Sequence, residues 1–223
     1  MVSSQAPVDT HVKGAHWFEV DGLALPRAVG GHPALDFVNT WAGWGEVPSV
    51  PEGSEFLKTY DHLAALASVS GLVEADSASA LRRRARSRKA EAEAILKDAR
   101  RFRTDLHSLV LDPSDPSALR GVNTVVLRAA AHAELTPVAG ARATGAHAGH
   151  RWMVGGGLER PLLAVAWAAS DLLTQHDLTD IGTCPGDHCG WVFLDPRGRR
   201  RWCSMQWCGN RAKVRAHAER HRV

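Results

Sequence analysis

The sequence predicts a mainly α-helical chain of α+β class, with a helical N-terminal body that carries one small β-hairpin and a compact C-terminal module. Three observations predict it. Apolar residues recur at three- and four-residue intervals through most of residues 54–175. A Gly/Ala/His-rich stretch separates two short β-prone runs, Leu135 to Val138 and Arg151 to Val154. All four cysteines, with most of the surplus basic charge, lie in the last forty residues.

In chain order, residues 1–19 read as a loose terminus, and the body spans 20–176. Leu35-Asp36-Phe37-Val38-Asn39-Thr40 is a compact apolar segment, followed by a loop rich in Gly and Pro up to Gly53. Ser54 is placed to cap a helix ending near Ser70, with Tyr60, Leu63, Leu66 and Ala67 on its apolar face and Gly71 as its stop. A longer helix spans Ser77 to Leu111, its period interrupted at Arg88. Pro113 and Pro116 separate it from a third helix, Ser117 to Ala133. The hairpin follows, and then a fourth helix from Leu158 to about Gln175, apolar almost all round and therefore central. Asp177 to Thr183 reads as a linker, and 184–223 as the C-terminal module.

Charge is unevenly spread. The chain carries a formal +3, yet from Cys184 onward nine Arg/Lys oppose three acidic residues, which leaves the body net negative. Such segregation points to a polyanion partner for the C-terminal module. No run of about eighteen apolar residues exists, so no membrane span is expected. The first residues lack a secretion signal, so a cytoplasmic location is expected. There is no Gly-x-Ser-x-Gly, phosphate-binding loop or catalytic His/carboxylate set, and an enzyme is not expected.

The cysteines follow the pattern Cys184-x4-Cys189-x13-Cys203-x4-Cys208. In a reducing compartment, clustered thiols serve as metal ligands more often than as disulfides. Two pairs joined by a short fold suit the tetrahedral four-sulfur shell of one structural zinc. Trp191 to Leu194 and Arg199 to Trp202 flank a Pro196-Arg197-Gly198 turn, and a hairpin there would bring Cys203 back to Cys189. From Cys208 a helix runs to about His221, completing a treble-clef-like finger. His217 and His221 are a competing pair of ligands. His217, however, lies about 13 Å along that helix from Cys208, whereas ligands of one zinc sit within about 4 Å of each other. With four protein donors the ion has no open position for chemistry.

Arg197, Arg199, Arg200 and Arg201 on the turn, with Arg211 and Arg215 on the helix, are candidate phosphate anchors; Asn210 and Lys213 are candidate base readers. Double-stranded DNA is the partner this surface suits. A protein-docking role for the zinc-stapled surface, or ligand binding without DNA contact, are the alternatives. In the body, Asp36 and Asn39 are the best polar candidates for a ligand pocket, against a capping role on nearby backbone. His132, His147, His150 and His176 show no ligand spacing, and Gly155-Gly156-Gly157 reads as a loop. The basic run Arg82 to Lys89 reads as the wet side of a helix.

Cys189-Gly190-Trp191-Val192-Phe193-Leu194-Asp195, Arg200-Arg201-Trp202-Cys203-Ser204-Met205 and Cys208-Gly209-Asn210-Arg211-Ala212-Lys213 strongly resemble the CGNR zinc-finger family. Leu35-Asp36-Phe37-Val38-Asn39-Thr40 resembles the opening of the ABATE domain, which precedes that finger in bacterial stress-induced transcription regulators. The two resemblances together cover nearly the whole chain. They imply one zinc ion, a DNA-binding C-terminus, and a helical body that senses a small-molecule effector. The turn at Pro196-Arg197-Gly198 is shorter than the family's. A module this small commonly gains specificity by pairing, so a homodimer fits the reading.

Overall fold

A computed structural model describes residues 16–44, 55–137 and 149–221. The chain opens on an antiparallel hairpin, β1 (Trp17–Val20) and β2 (Leu23–Pro26). Asp21 (φ 51°) and Gly22 (φ 76°) form its two-residue turn. Left-handed backbone at both positions is what Asp-Gly supplies most readily.

The apolar segment that follows is helical. α1 (Pro33–Val38) starts with proline in its first turn and is capped by His32, whose Nδ1 accepts the Ala34 amide at 3.2 Å. α2 (Tyr60–Val69) begins later than the sequence suggests, and Ser54 lies outside the described residues. Residues just before it are held extended. The Glu55 carboxylate accepts the Leu57 amide, and the Leu57 carbonyl is taken by the Arg100 guanidinium at 2.7 and 3.0 Å.

The long helix divides at its interrupted period into α3 (Ala75–Ser87) and α4 (Lys89–Leu111). Arg88 leaves helical geometry at φ −129°, ψ 51°. Beside it the Ser87 hydroxyl bonds the Arg84 carbonyl, a local contact that competes with the helix ladder. α5 (Pro116–Ala131) has proline in its first turn and is capped by Asp115, which accepts two amides. β3 (Ala133–Pro137) pairs antiparallel with β4 (His150–Val154), as expected; their connection lies outside the described residues. A 3-10 turn, Gly157–Glu159, leads into α6 (Arg160–Gln175).

α6 is the centre of the body, packed by α1, α2, α4 and α5. Leu162 and Leu163 are fully buried there with Leu35, Phe37, Phe102 and Leu106. Burying a side chain of this size contributes about 1.5–3 kcal/mol, and this shared core fixes the direction in which α1 points.

Residues 177–183 are structured: a 3-10 turn, Leu178–Asp180, runs into β5 (Ile181–Thr183). β5 pairs antiparallel with β6 (Val192–Leu194). The strand partner expected downstream, Arg199 to Trp202, is bend rather than strand, so the finger's hairpin is built with residues before the first cysteine. A π-helical turn, Met205–Gly209, capped by Ser204, then starts α7 (Asn210–Arg220).

Candidate zinc centre and finger surface

Cys184, Cys189, Cys203 and Cys208 are all buried, and their Sγ atoms lie within 4.8 Å of one another. Cys203 Sγ is 3.7 Å from Cys189 and 3.6 Å from Cys208. β5 delivers Cys184, whose amide bonds the Trp191 carbonyl; the tight turn after it returns Cys189. Ser204 and the π turn bring Cys208 back over the group. At Gly186 an added Cβ would lie 2.9 Å from Cys208 Sγ, so only glycine lets this backbone pass so close to the sulfurs. Four free, buried thiols in so small a space, with no disulfide between them, make the soft four-donor set that a structural zinc takes. Bonds from the other three sulfurs, joined by one from Arg211, drive the Cys208 thiol well below its ordinary range. The residues therefore fit a structural zinc.

The centre is fastened to the body. Asn39, fully buried at the end of α1, donates Nδ2 to the Val192 carbonyl and accepts the Val192 amide, both at 2.9 Å. The Trp191 indole donates to the Trp41 carbonyl, Gly43 N–H to the Cys189 carbonyl, and Leu194 N–H to Gly30. Gly190 adopts φ 65° where a Cβ would strike Trp44 at 2.8 Å. Trp191 and Phe193 pack with Phe56 and the four cysteines in a second core.

Asp36 accepts the Gly30 amide at 2.7 Å. Burial, its largest influence, raises its pKa to about 6 against those backbone bonds. Asp36 and Asn39, the sequence's candidates for a ligand pocket, are both turned to backbone. Asn39 is occupied in holding the finger to α1, and Asp36 in holding the segment before α1.

The basic residues divide into two sets. Arg200, though exposed, is engaged by the finger: Nη2 donates to the Val29 and Cys203 carbonyls at 2.8 Å, and the guanidinium lies 4.2 Å over the Phe193 ring. Arg211 Nη2 donates to Cys208 Sγ at 3.3 Å, and Arg215 pairs with Asp187. Asn210 Nδ2 is turned back to the Gln206 carbonyl at 3.2 Å. Arg197, Arg199, Arg201 and Lys213 stay exposed, Arg201 above the Trp202 ring at 5.2 Å. α7 buries none of its residues, and Val214 is 70% exposed.

The family now follows from sequence and geometry together. Residues 31–176 match the ABATE family, described as "Putative stress-induced transcription regulator", and residues 181–221 match the CGNR zinc finger. The chain belongs to the ABATE family. Its finger match begins at β5, inside the segment read from the sequence as a linker. The four cysteines of the CGNR finger hold one structural zinc ion. The search of curated proteins gives no match. No helix among the described residues is long and apolar enough to cross a membrane.

One group escaped the sequence reading. His32, Asp171 and His176 meet where α1 begins and α6 ends, with His32 Nε2 3.4 Å from the Asp171 carboxylate. His32 lies 139 residues before Asp171, so no spacing rule could bring it to the other two. His32 Nδ1 already accepts the Ala34 amide, which leaves the neutral ring's proton on Nε2, directed at Asp171. A metal would need that nitrogen bare, so the trio is a helix-cap clamp.

Proposed function

We propose that the chain is a DNA-binding transcription regulator whose zinc-ordered finger contacts double-stranded DNA and whose ABATE body reports an effector, acting by binding rather than by catalysis. One observation carries the proposal: α7 leaves the four-cysteine centre with none of its residues buried, so it keeps a basic outer face open to a partner. Lys213 on that helix, with Arg197, Arg199 and Arg201 beside the zinc, supports a phosphate-following surface. An exposed helix of this size fits the major groove.

The bonded arginines refine the roles. Arg200 and Arg211 position the finger and the sulfur shell, while Arg197, Arg199, Arg201 and Lys213, whose side chains make no hydrogen bond or ion pair among the described residues, anchor phosphates. The test is anisotropy of zinc-loaded protein on a mixed duplex pool across a salt series. About four phosphate contacts give a log–log slope near −4; a flat response, or no binding, would refute the proposal.

A second reading has its own support: Val214 and Met205, the latter 52% exposed, offer apolar contacts to a protein partner. Under that reading a protein is captured while duplex mobility stays unchanged.

A further inference from the structure

Between hairpin β1–β2, the segment before α2 and the finger lies a cavity of about 750 Å3. That size takes a small organic molecule. The body contributes Trp17, Phe56 and Lys58 to its walls, and the finger contributes Trp207, Arg211 and Arg215. We propose that this cavity binds a small aromatic carboxylate, and that this molecule is the effector through which the body reports to the finger. Its effector role rests on the DNA-binding reading above; the binding itself does not.

Flat indole and phenyl walls favour a planar ring, which they bury at little conformational cost. The charges favour a single carboxylate. Lys58 makes no ion pair among the described residues. Arg215 is satisfied only by Asp187, and both side chains are about half exposed, so a ligand carboxylate can replace Asp187 in the same geometry. The zinc-bound sulfurs lie on the same wall and, with four thiolates on one divalent ion, carry a net negative charge. A dianion such as phosphate is repelled there about twice as strongly as a monoanion, whose single charge can be held toward Lys58 and Arg215.

Coupling follows from the layout. Arg211 and Arg215 belong to α7, so a molecule bridging them to Lys58 ties the DNA-facing helix to the body. Such a molecule couples to DNA binding to the extent that α7 shifts against the body when the finger takes DNA.

The experiment is isothermal titration of zinc-loaded, full-length protein with 1-naphthoate and salicylate, with 1-naphthamide and inorganic phosphate as controls. The expected result is saturable binding of at least one carboxylate at one equivalent per chain. Affinity for the amide and for phosphate should be at least about tenfold lower, the loss of one charge-assisted contact. Lys58→Ala, at an exposed position that folding does not need, should weaken the carboxylate by a similar factor. The proposal is overturned if neither carboxylate binds, or if Lys58→Ala and the amide leave affinity unchanged. Duplex binding is measured separately without ligand. Its failure beside intact calorimetric binding removes the regulator reading and leaves the ligand site standing.

Discussion

The side-chain amide of Asn39 and the backbone of Val192 exchange two 2.9 Å hydrogen bonds across 153 residues of sequence. This places the finger's central strand on the end of α1 with both backbone groups satisfied out of water. Asn39→Leu removes the partner of a buried donor and a buried acceptor at once, which should cost about 2–4 kcal/mol. Asn39→Asp keeps the acceptor but buries a charge against the Val192 carbonyl, and at neutral pH it should cost at least as much. Urea unfolding measures both, and equal stability of Asn39→Leu and wild type would mean that the two bonds do not hold the finger.

Arg103 joins a second set of elements. Its guanidinium is 4% exposed as a residue, bidentate to Glu55 at 2.6 and 2.7 Å, and bonded to Thr40 Oγ1 at 2.9 Å. Arg103→Met removes the bidentate partner of Glu55, leaving it Arg100 at 3.6 Å and the Leu57 amide, and should lose about 2 kcal/mol. Arg103→Met with Glu55→Gln should recover part of that loss, and a double-mutant cycle on urea midpoints reads the difference.

Acid stability turns on His107, stacked on Trp44 at 3.8 Å between ring centroids. Burial lowers its pKa from 6.5 to about 4. Between these values the unfolded chain binds a proton that the folded one refuses, so stability is full above pH 6.5 and falls as pH drops toward 4. The loss attributable to this group reaches about 3 kcal/mol. Asp36, raised to about 6, acts in the opposite sense, the folded chain gaining stability as pH falls through 6. His107→Phe keeps the stack and removes only the first effect. The difference in unfolding free energy between variant and wild type should therefore grow in the variant's favour from pH 6.5 to 4.

The two sets of arginines separate by variant. Arg199→Ala and Arg201→Ala should each reduce the salt slope of duplex binding by about one and leave thermal stability unchanged. Arg200→Ala should instead lower stability by about 1–2 kcal/mol, since its guanidinium bonds Val29 and Cys203 and covers Phe193. A salt-slope change in Arg200→Ala without loss of stability would reverse the assignment.

Local signals made much of this legible. The cysteine spacing found the metal shell, helical periodicity found α2 to α6, and the interruption at Arg88 marked the α3–α4 break. Hairpin β1–β2 had a readable signal too, Asp21-Gly22 between apolar runs, that the sequence reading passed over. β5 was hidden because Ile181-Gly182-Thr183 is too short to show alternation. The bonds of Arg200 and the Arg211–Cys208 contact could not be read from composition, because every basic residue in the finger looks alike until the backbone turns each one. Asn39 and Asp36 were picked out as polar groups in an apolar segment, and the structure gives them backbone partners that lie beyond any local window. His32, Asp171 and His176 were equally out of reach.

The most direct test of the account follows zinc content and duplex retention together while a chelator strips the reduced protein. One equivalent of zinc should be lost in step with retention, with α7 helicity falling alongside, and Cys208→Ser should behave like the stripped protein. Metal-free protein that keeps its far-ultraviolet helicity and holds duplex DNA as tightly as before would contradict it.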